Sequence, residues 1–172
     1  MRHRSYLLEL ASKSDFLPKA FPESGIFVVQ AGTSDAECCR YLWVEAGRGF
    51  WKEREDWTLE QWCTHLSKEV ISFWIAKKAA EVIGFFELAR DKADIKIEGL
   101  GLLPQWRNKG FGGGLLSAAT QQAFDSGAKR IWLHTATDDH PNALSNYRKR
   151  GYRVYHEEEL RNPMPCPRVH RE

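Results

Sequence analysis

Cysteine is scarce here and carries no pattern. Cys38, Cys39, Cys63 and Cys166 form no CxxC spacing, and no secretory leader is recognised ahead of them. That argues against a disulfide framework and against a zinc site, and the expectation is a reduced, cytoplasmic chain without metal. Long apolar runs are missing too: none approaches the roughly 18 residues of a membrane span, so no membrane contact is expected. Charge of one sign is also lacking. Lys and Arg number 25 against 23 Asp and Glu, a formal balance of +2 without a block of like charge, which gives nucleic acid no electrostatic footprint. Internal repeats and low-complexity linkers do not occur. With 172 residues, 42% of them hydrophobic, the chain suits one core, whereas two domains would each sit near the lower size for independent stability. The expectation is a single domain over 1–172, with 1–24 as an N-terminal strand and loop and the proline-rich 161–172 as a loosely held tail.

Tryptophan, by contrast, is plentiful: there are seven, and Trp43, Trp51, Trp57 and Trp62 fall close together, as a core or as a binding wall. "SYLLEL" reads as a short strand and "GIFVVQA" as a buried one. Helical spacing runs from Asp35 to Ala46, with Thr33, Ser34 or Asp35 as its cap, and Thr58 with Gln61 opens a second helix to about Leu66. "VISFWIAKK", "VIGFFELAR" and "IKIEGLGLL" follow through connections too short for crossover helices, so they form an antiparallel meander. Leu116, Ala119, Ala123 and Phe124 then share a helical face that ends near Gly127. "RIWLHTA" is the next strand. A strand–helix–strand connection is a right-handed crossover, which makes Ile95–Leu103 and Arg130–Ala136 parallel neighbours. A helix over "PNALSNYRKR" and a strand over "YRVYHEE" complete the pattern.

Between the third meander strand and the long helix lies "LLPQWRNKGFGGGLL". A helix start carries unpaired N–H groups and the positive end of a dipole, and glycine lets an anion approach that backbone closely. Lys109, Gly110, Phe111, Gly112 and Gly113 therefore form a candidate phosphate cradle, with Arg107 and Lys109 adding charge at its rim. Nucleotide loops fit it poorly. Lys109 precedes its glycine where a Walker loop has GK followed by Ser or Thr, and Leu115 stands where a dinucleotide fingerprint needs its last glycine.

"RNKGFG" resembles the RxxGxG pyrophosphate loop of the GNAT N-acetyltransferase superfamily, and "ALSNYRKRGY" resembles its later signature, an Ala four positions before a Tyr followed by GY. The element order from Ile26 to Tyr155 is similar as well. "WTLEQW", "GFFEL", "GLLP" and "HTATDDHPNALSNYRKRGYRVY" look like a bacterial subfamily with little-characterised acceptors, although "GFWKERED" departs from the stretch usual there. The fold this resemblance implies is α/β: a mixed, mostly antiparallel sheet splayed between the family's fourth and fifth strands and flanked by about four helices.

The implied activity is transfer of an acetyl group from acetyl-CoA to a primary amine of a small molecule or peptide, by direct attack in a ternary complex. A non-catalytic acyl-CoA sensor or interaction module of the same fold is the alternative. The resemblance assigns the pantetheine arm to main-chain groups of Leu102 and Leu103, the pyrophosphate to the loop amides from Lys109 to Gly113, and the departing sulfur to Tyr147 as general acid. His140 stands where the family often has an Asn, seven positions before the Tyr, so that contact is not carried over; Asn142, two residues later, is kept among the candidate coenzyme contacts. Lys96 occupies a position where many members carry a carboxylate base. Glu98, on the same strand face, Glu87, whose burial should raise its pKa, and His134 are left as candidate bases. Trp51, Arg54 and Trp57 are expected to wall the acceptor. Gly99 and Gly101 suit a bulge or a close backbone approach. A homodimer is kept open as a partner state.

Overall fold

The computed structural model describes residues 3–160, so the expected tail at 161–172 lies outside the described residues. In chain order the elements are β1 (His3–Leu10), β2 (Ile26–Ala31), α1 (Ala36–Gly47), α2 (Leu59–Leu66), β3 (Ile71–Lys78), β4 (Glu81–Asp91), β5 (Asp94–Leu102), α3 (Phe111–Asp125), β6 (Arg130–Ala136), α4 (Ala143–Lys149) and β7 (Arg153–Leu160). Among the described residues one seven-stranded sheet runs in the order β2-β3-β4-β5-β6-β1-β7, and only the β5–β6 pair is parallel. This is the mixed, mostly antiparallel α/β architecture that the sequence pattern implies.

Tight turns join the meander β3–β4–β5, and Ala79 and Lys92 take left-handed backbone there (φ 53° and 57°), as two-residue hairpin connections demand. Period-two alternation then sends neighbouring residues to opposite faces. Phe85 packs beneath α1 and α2 with Trp43, Trp62 and Phe73, while Phe86 packs beneath α3 with Leu115, Leu116 and Ile131. Helix α2 opens on the expected capping box: Gln61 N donates to Thr58 Oγ1 (3.2 Å) and Thr58 N to Gln61 Oε1 (2.8 Å). Ahead of α1 the structure has a single 3-10 turn, Thr33–Asp35, whose Asp35 carboxylate accepts from Gly32 N (2.8 Å) instead of capping the helix by its side chain.

Strand β1 is inserted between β6 and β7, with Leu8 and Leu10 fully buried under α3. The chain leaves it at Leu10 and crosses the start of α3 before entering β2 at the far edge of the sheet. Residues 11–25 thus act as a strap. Leu17 N donates to Arg150 O (3.0 Å), Lys19 N donates to Ser117 Oγ (2.8 Å), and Phe21 rests on the ring of Phe111 at 6.5 Å.

The sheet opens where β5 and β6 part. Their pairing stops at Ile97↔Leu133, and at that level the β4–β5 register slips, with Glu87 opposite Gly99 but Leu88 opposite Ile97. Glu98 is therefore an extra, bulged residue of β5. A bulge bends its strand and adds twist, so the end of β5 turns away from β6 and leaves a slot between them. In the structure's numbering the splay lies between the fifth and sixth strands, because β1 precedes the strands counted in the family pattern.

Candidate active site

The slot widens into a cavity of about 390 Å³. Its floor is the end of β5 (Leu100, Gly101, Leu102), one wall is α4 with Asn146 and Tyr147, and the opposite wall is Phe50 and Trp51 after α1. The start of α3 closes one end. Gly110 caps that helix with φ 87°, a left-handed conformation natural to glycine, and Asn108 is left-handed as well (φ 58°). A left-handed residue followed by helical backbone turns successive N–H groups toward one point, and the first turn of α3 has no intrahelical acceptors for its own. Gly110, Gly112 and Gly113 line the cavity, whereas Phe111 points into the core, edge-on to Trp106 at 5.0 Å. The glycine-rich helix start read from the sequence thus opens onto the cavity, and Phe111 anchors it from below.

Two expected rim cations behave differently. Arg107 donates from Nη2 to Ala46 O (2.8 Å) and from Nε to Leu102 O (3.3 Å), with its guanidinium 5.0 Å from the Phe50 ring centre. It ties a free carbonyl of the last turn of α1 to the end of β5, so it braces the slot. Burial lowers its pKa. Lys109 is exposed and does not line the cavity. Leu102 lines the slot, but Leu103 turns inward, 3% exposed, and its N–H is taken by Ile83 O (2.9 Å).

Tyr147 faces the cavity from α4, edge-on to Tyr152 at 6.2 Å. Burial first, and Asp139 second, push its phenol well above the ordinary value, so it is a firmly protonated donor. Asn142, the N-cap residue of α4, lines the cavity and reaches Asn108 Oδ1 from Nδ2 at 3.5 Å. His140 lines it too. Its Nδ1 accepts from Asn142 N (3.2 Å), and burial, then the Arg107 charge, lower its pKa and favour the neutral ring. With Nδ1 occupied as an acceptor, the proton of that neutral ring sits on Nε2.

The three candidate bases stand elsewhere. Glu87 is fully buried and held by Arg54 (2.9 and 3.1 Å) and by His65 Nε2 (2.9 Å). Desolvation acts to raise its pKa as the sequence reading supposed, but the hydrogen bonds from His65 and Arg54 outweigh it and hold the carboxyl below its ordinary range. Glu98, on the bulge, pairs with Lys96 at 2.8 Å. His134 is exposed on β6 with Nε2 2.7 Å from Ser5 Oγ. None of the three lines the cavity.

The proposed acceptor wall also divides. Trp51 lines the cavity, with its Nε1 buried and without a hydrogen-bond partner among the described residues, while Arg54 lies 4.0 Å from the Trp43 ring centre and 4.8 Å from that of Trp57. Trp57 packs edge-on to Trp62 and His65, both at 5.3 Å. Arg54 and Trp57 therefore belong to a buried ion network behind the cavity wall. Gly99 and Gly101 show why α1 can sit so close: a Cβ would meet Trp43 at 2.5 Å and Ala46 at 2.8 Å, respectively.

Sequence reasoning missed Asn146, Arg150, Phe50 and Lys19. Asn146 Nδ2 donates to Gly112 O (3.0 Å) and pins the loop to α4. Asn146 and Arg150 were detectable, since with Ala143 and Tyr147 they follow the i, i+3, i+4, i+7 spacing of one helical face. Lys19 had no local signal.

A split mixed sheet with a glycine-rich helix start beside the split places this chain in a class of α/β folds with an anion-suited seat at the opening of the sheet. The match to the family model described as Acetyltransferase (GNAT) family covers residues 36–152, more than half of the chain, and the chain belongs to that family. Among solved structures it is similar to a GCN5-related N-acetyltransferase from Sphaerobacter thermophilus (TM-score 0.68, 18% identity, 96% of this chain and 54% of that one). A GCN5-related N-acetyltransferase from Kribbella flavida gives TM-score 0.64 and 23% identity over 88% of this chain and 54% of that one. An aminoglycoside acetyltransferase from an uncultured soil metagenomic sample gives 0.61 and 20% over 82% and 98%. The chain thus spans about half the length of the first two. No curated protein matches it. No helix among the described residues is long and apolar enough to cross a membrane, and those residues hold no cluster of metal-ligating side chains.

Proposed function

We propose that this chain, acting as one domain in the cytoplasm, is an acetyl-CoA-dependent N-acetyltransferase whose acceptor is a primary amine of a small molecule or peptide. The observation that carries the reading is that one cavity combines the amide cradle at Gly110–Gly113, the opened edge of β5 and a protonated Tyr147. The cradle fits a diphosphate: Gly110, Gly112 and Gly113 line the cavity at the start of α3, so no side chain stands between a ligand and the first amides of the helix. When bound, acetyl-CoA supplies an activated thioester. The chain's own groups position it: loop amides hold the phosphates, and the end of β5 offers main-chain groups along the slot. Tyr147 holds the proton that a departing thiolate needs, a phenol being protonated at neutral pH and the parent thiol near pKa 8.5.

For the acceptor's own proton the cavity offers no carboxylate among the described residues that line it. The acceptor therefore reacts as the free amine, losing its proton to water at the open mouth. Phe50, Trp51 and His140 Nε2–H shape the end where it enters.

A screen of amines for release of free CoA thiol tests the reading, alongside thermal shifts with acetyl-CoA, ATP and NAD. Thiol release with at least one amine and stabilisation by acetyl-CoA alone are expected. Stabilisation without turnover over a broad amine set would make the protein an acyl-CoA sensor, and equal stabilisation by ATP would remove the reading.

A further inference from the structure

We propose that Lys19 and Arg150 form a second anion subsite, beside the amide cradle, that takes a terminal phosphate monoester: the ribose 3′-phosphate of the coenzyme. The proposal rests on the coenzyme reading above and adds a recognition element to it. Lys19 comes from the strap at 11–25 and Arg150 from the end of α4, and both point to the same place, the position a Cβ of Gly113 would occupy. A Cβ leaves a helix from its flank with a tilt toward the N-terminus, so that position lies beside the first turn of α3, adjacent to the end from which the cradle amides point. The two cations stand beside the diphosphate seat and not over it.

Neither side chain has a carboxylate partner among the described residues, and no acid lines this cavity. Among the described residues, Arg150 Nε is buried without any hydrogen-bond partner. A buried guanidinium N–H left unmade is costly, and an oxygen acceptor arriving with a ligand relieves it. Lys149 lines the same rim and adds a third positive charge. A phosphate monoester carries about −1.5 to −2 charges at pH 7 and three acceptor oxygens, which suits a guanidinium fork beside an ammonium.

The backbone holds both residues in place. Lys19 N is bonded to Ser117 Oγ (2.8 Å) and Arg150 O to Leu17 N (3.0 Å), so strap and helix are fastened together where their side chains converge. They pack closely there: a Cβ at Gly151 would lie 1.9 Å from Asp15 O. The strap therefore serves recognition, and β1, which anchors its start, places it.

Titration calorimetry with CoA and dephospho-CoA decides the matter, on the wild-type chain and on Lys19→Met and Arg150→Met, which keep length and leave the backbone bonds in place. The wild type should bind CoA at least about tenfold more tightly than dephospho-CoA. Each variant should lose most of that preference while binding dephospho-CoA as the wild type does. Equal wild-type affinities for the two coenzymes overturn the subsite and leave the coenzyme reading standing. So does an equal loss of both coenzymes in the variants, which would put the cations on the diphosphate. Binding of neither coenzyme overturns the coenzyme reading itself, and the subsite with it.

Discussion

Arg54 and Glu87, 33 positions apart, meet in the interior through two hydrogen bonds, Nη2 to Oε1 at 2.9 Å and Nη1 to Oε2 at 3.1 Å. The fork of a guanidinium matches the two oxygens of a carboxylate, and His65 completes the coordination of Oε2. Rings of Trp43, Trp57 and Trp62 enclose the cation at 4.0, 4.8 and 5.6 Å. The backbone of Arg54 is left-handed (φ 64°), a strain the network holds in place.

Glu87→Gln should therefore be a stability variant. Removing one partner of a buried pair strands the other charge, at a cost of about 3–5 kcal/mol. Because the folded pKa of Glu87 lies below its unfolded value, its contribution is full above the unfolded carboxyl pKa, about 4.3, and fades as pH falls through the folded one. Denaturant titrations at pH 7 and at progressively lower pH should show the deficit of the variant shrinking with acid. Thiol release per folded molecule should stay within a few-fold of wild type, and a large loss of turnover with unchanged stability would return Glu87 to the chemistry.

Tyr147→Phe tests the other side. Loss of a general acid lowers a rate by about 10²-fold or more, while the ring continues to pack against Tyr152. A fall in kcat with little change in the KM for acetyl-CoA is expected; equal kcat values would remove Tyr147 from proton transfer.

These contacts mark what local pattern can and cannot carry. The meander, the parallel crossover and the glycine-rich helix start were legible because alternation, connection length and turn chemistry are local properties. The place of β1 was not: its partners in β6 lie more than a hundred positions away, and backbone pairing leaves no trace in side-chain choice. Glu87 looked like a base for the same reason. Its burial was readable from "GFFEL", but the Arg54 and His65 that hydrogen-bond to it arrive from other elements. Lys19 sits in a stretch whose Pro, Ser and Gly content says only loop, and nothing nearby announces that it crosses α3.

Gly151→Ala should loosen the strap. The residue has φ 98° and no space for a Cβ beside Asp15 O, so the variant carries backbone strain of about 1–3 kcal/mol and must push residues 11–25 outward. Hydrogen exchange of the Leu17 and Lys19 amides, bonded to Arg150 O and Ser117 Oγ, should accelerate more than that of β3 or β4 amides. Uniform acceleration would mean that the strap is no separate unit.

If the acceptor reacts as the free amine, the pH dependence of kcat/KM belongs to the acceptor. An α-amino group with pKa about 7.7–8.0 is neutral several hundredfold more often at pH 7 than a lysine-type amine with pKa about 10.4. Two acceptors of similar shape but different amine pKa should give rising limbs that differ by their pKa difference. On the acid side the neutral His140 must accept from Asn142 N, and protonation removes that acceptor, so activity should fall once pH drops to the lowered pKa of His140. His140→Gln should abolish that acid limb and leave the acceptor's limb where it was. A rising limb that stays at one pH for both acceptors would mean that an enzyme group takes the proton, and the free-amine mechanism would have to be given up.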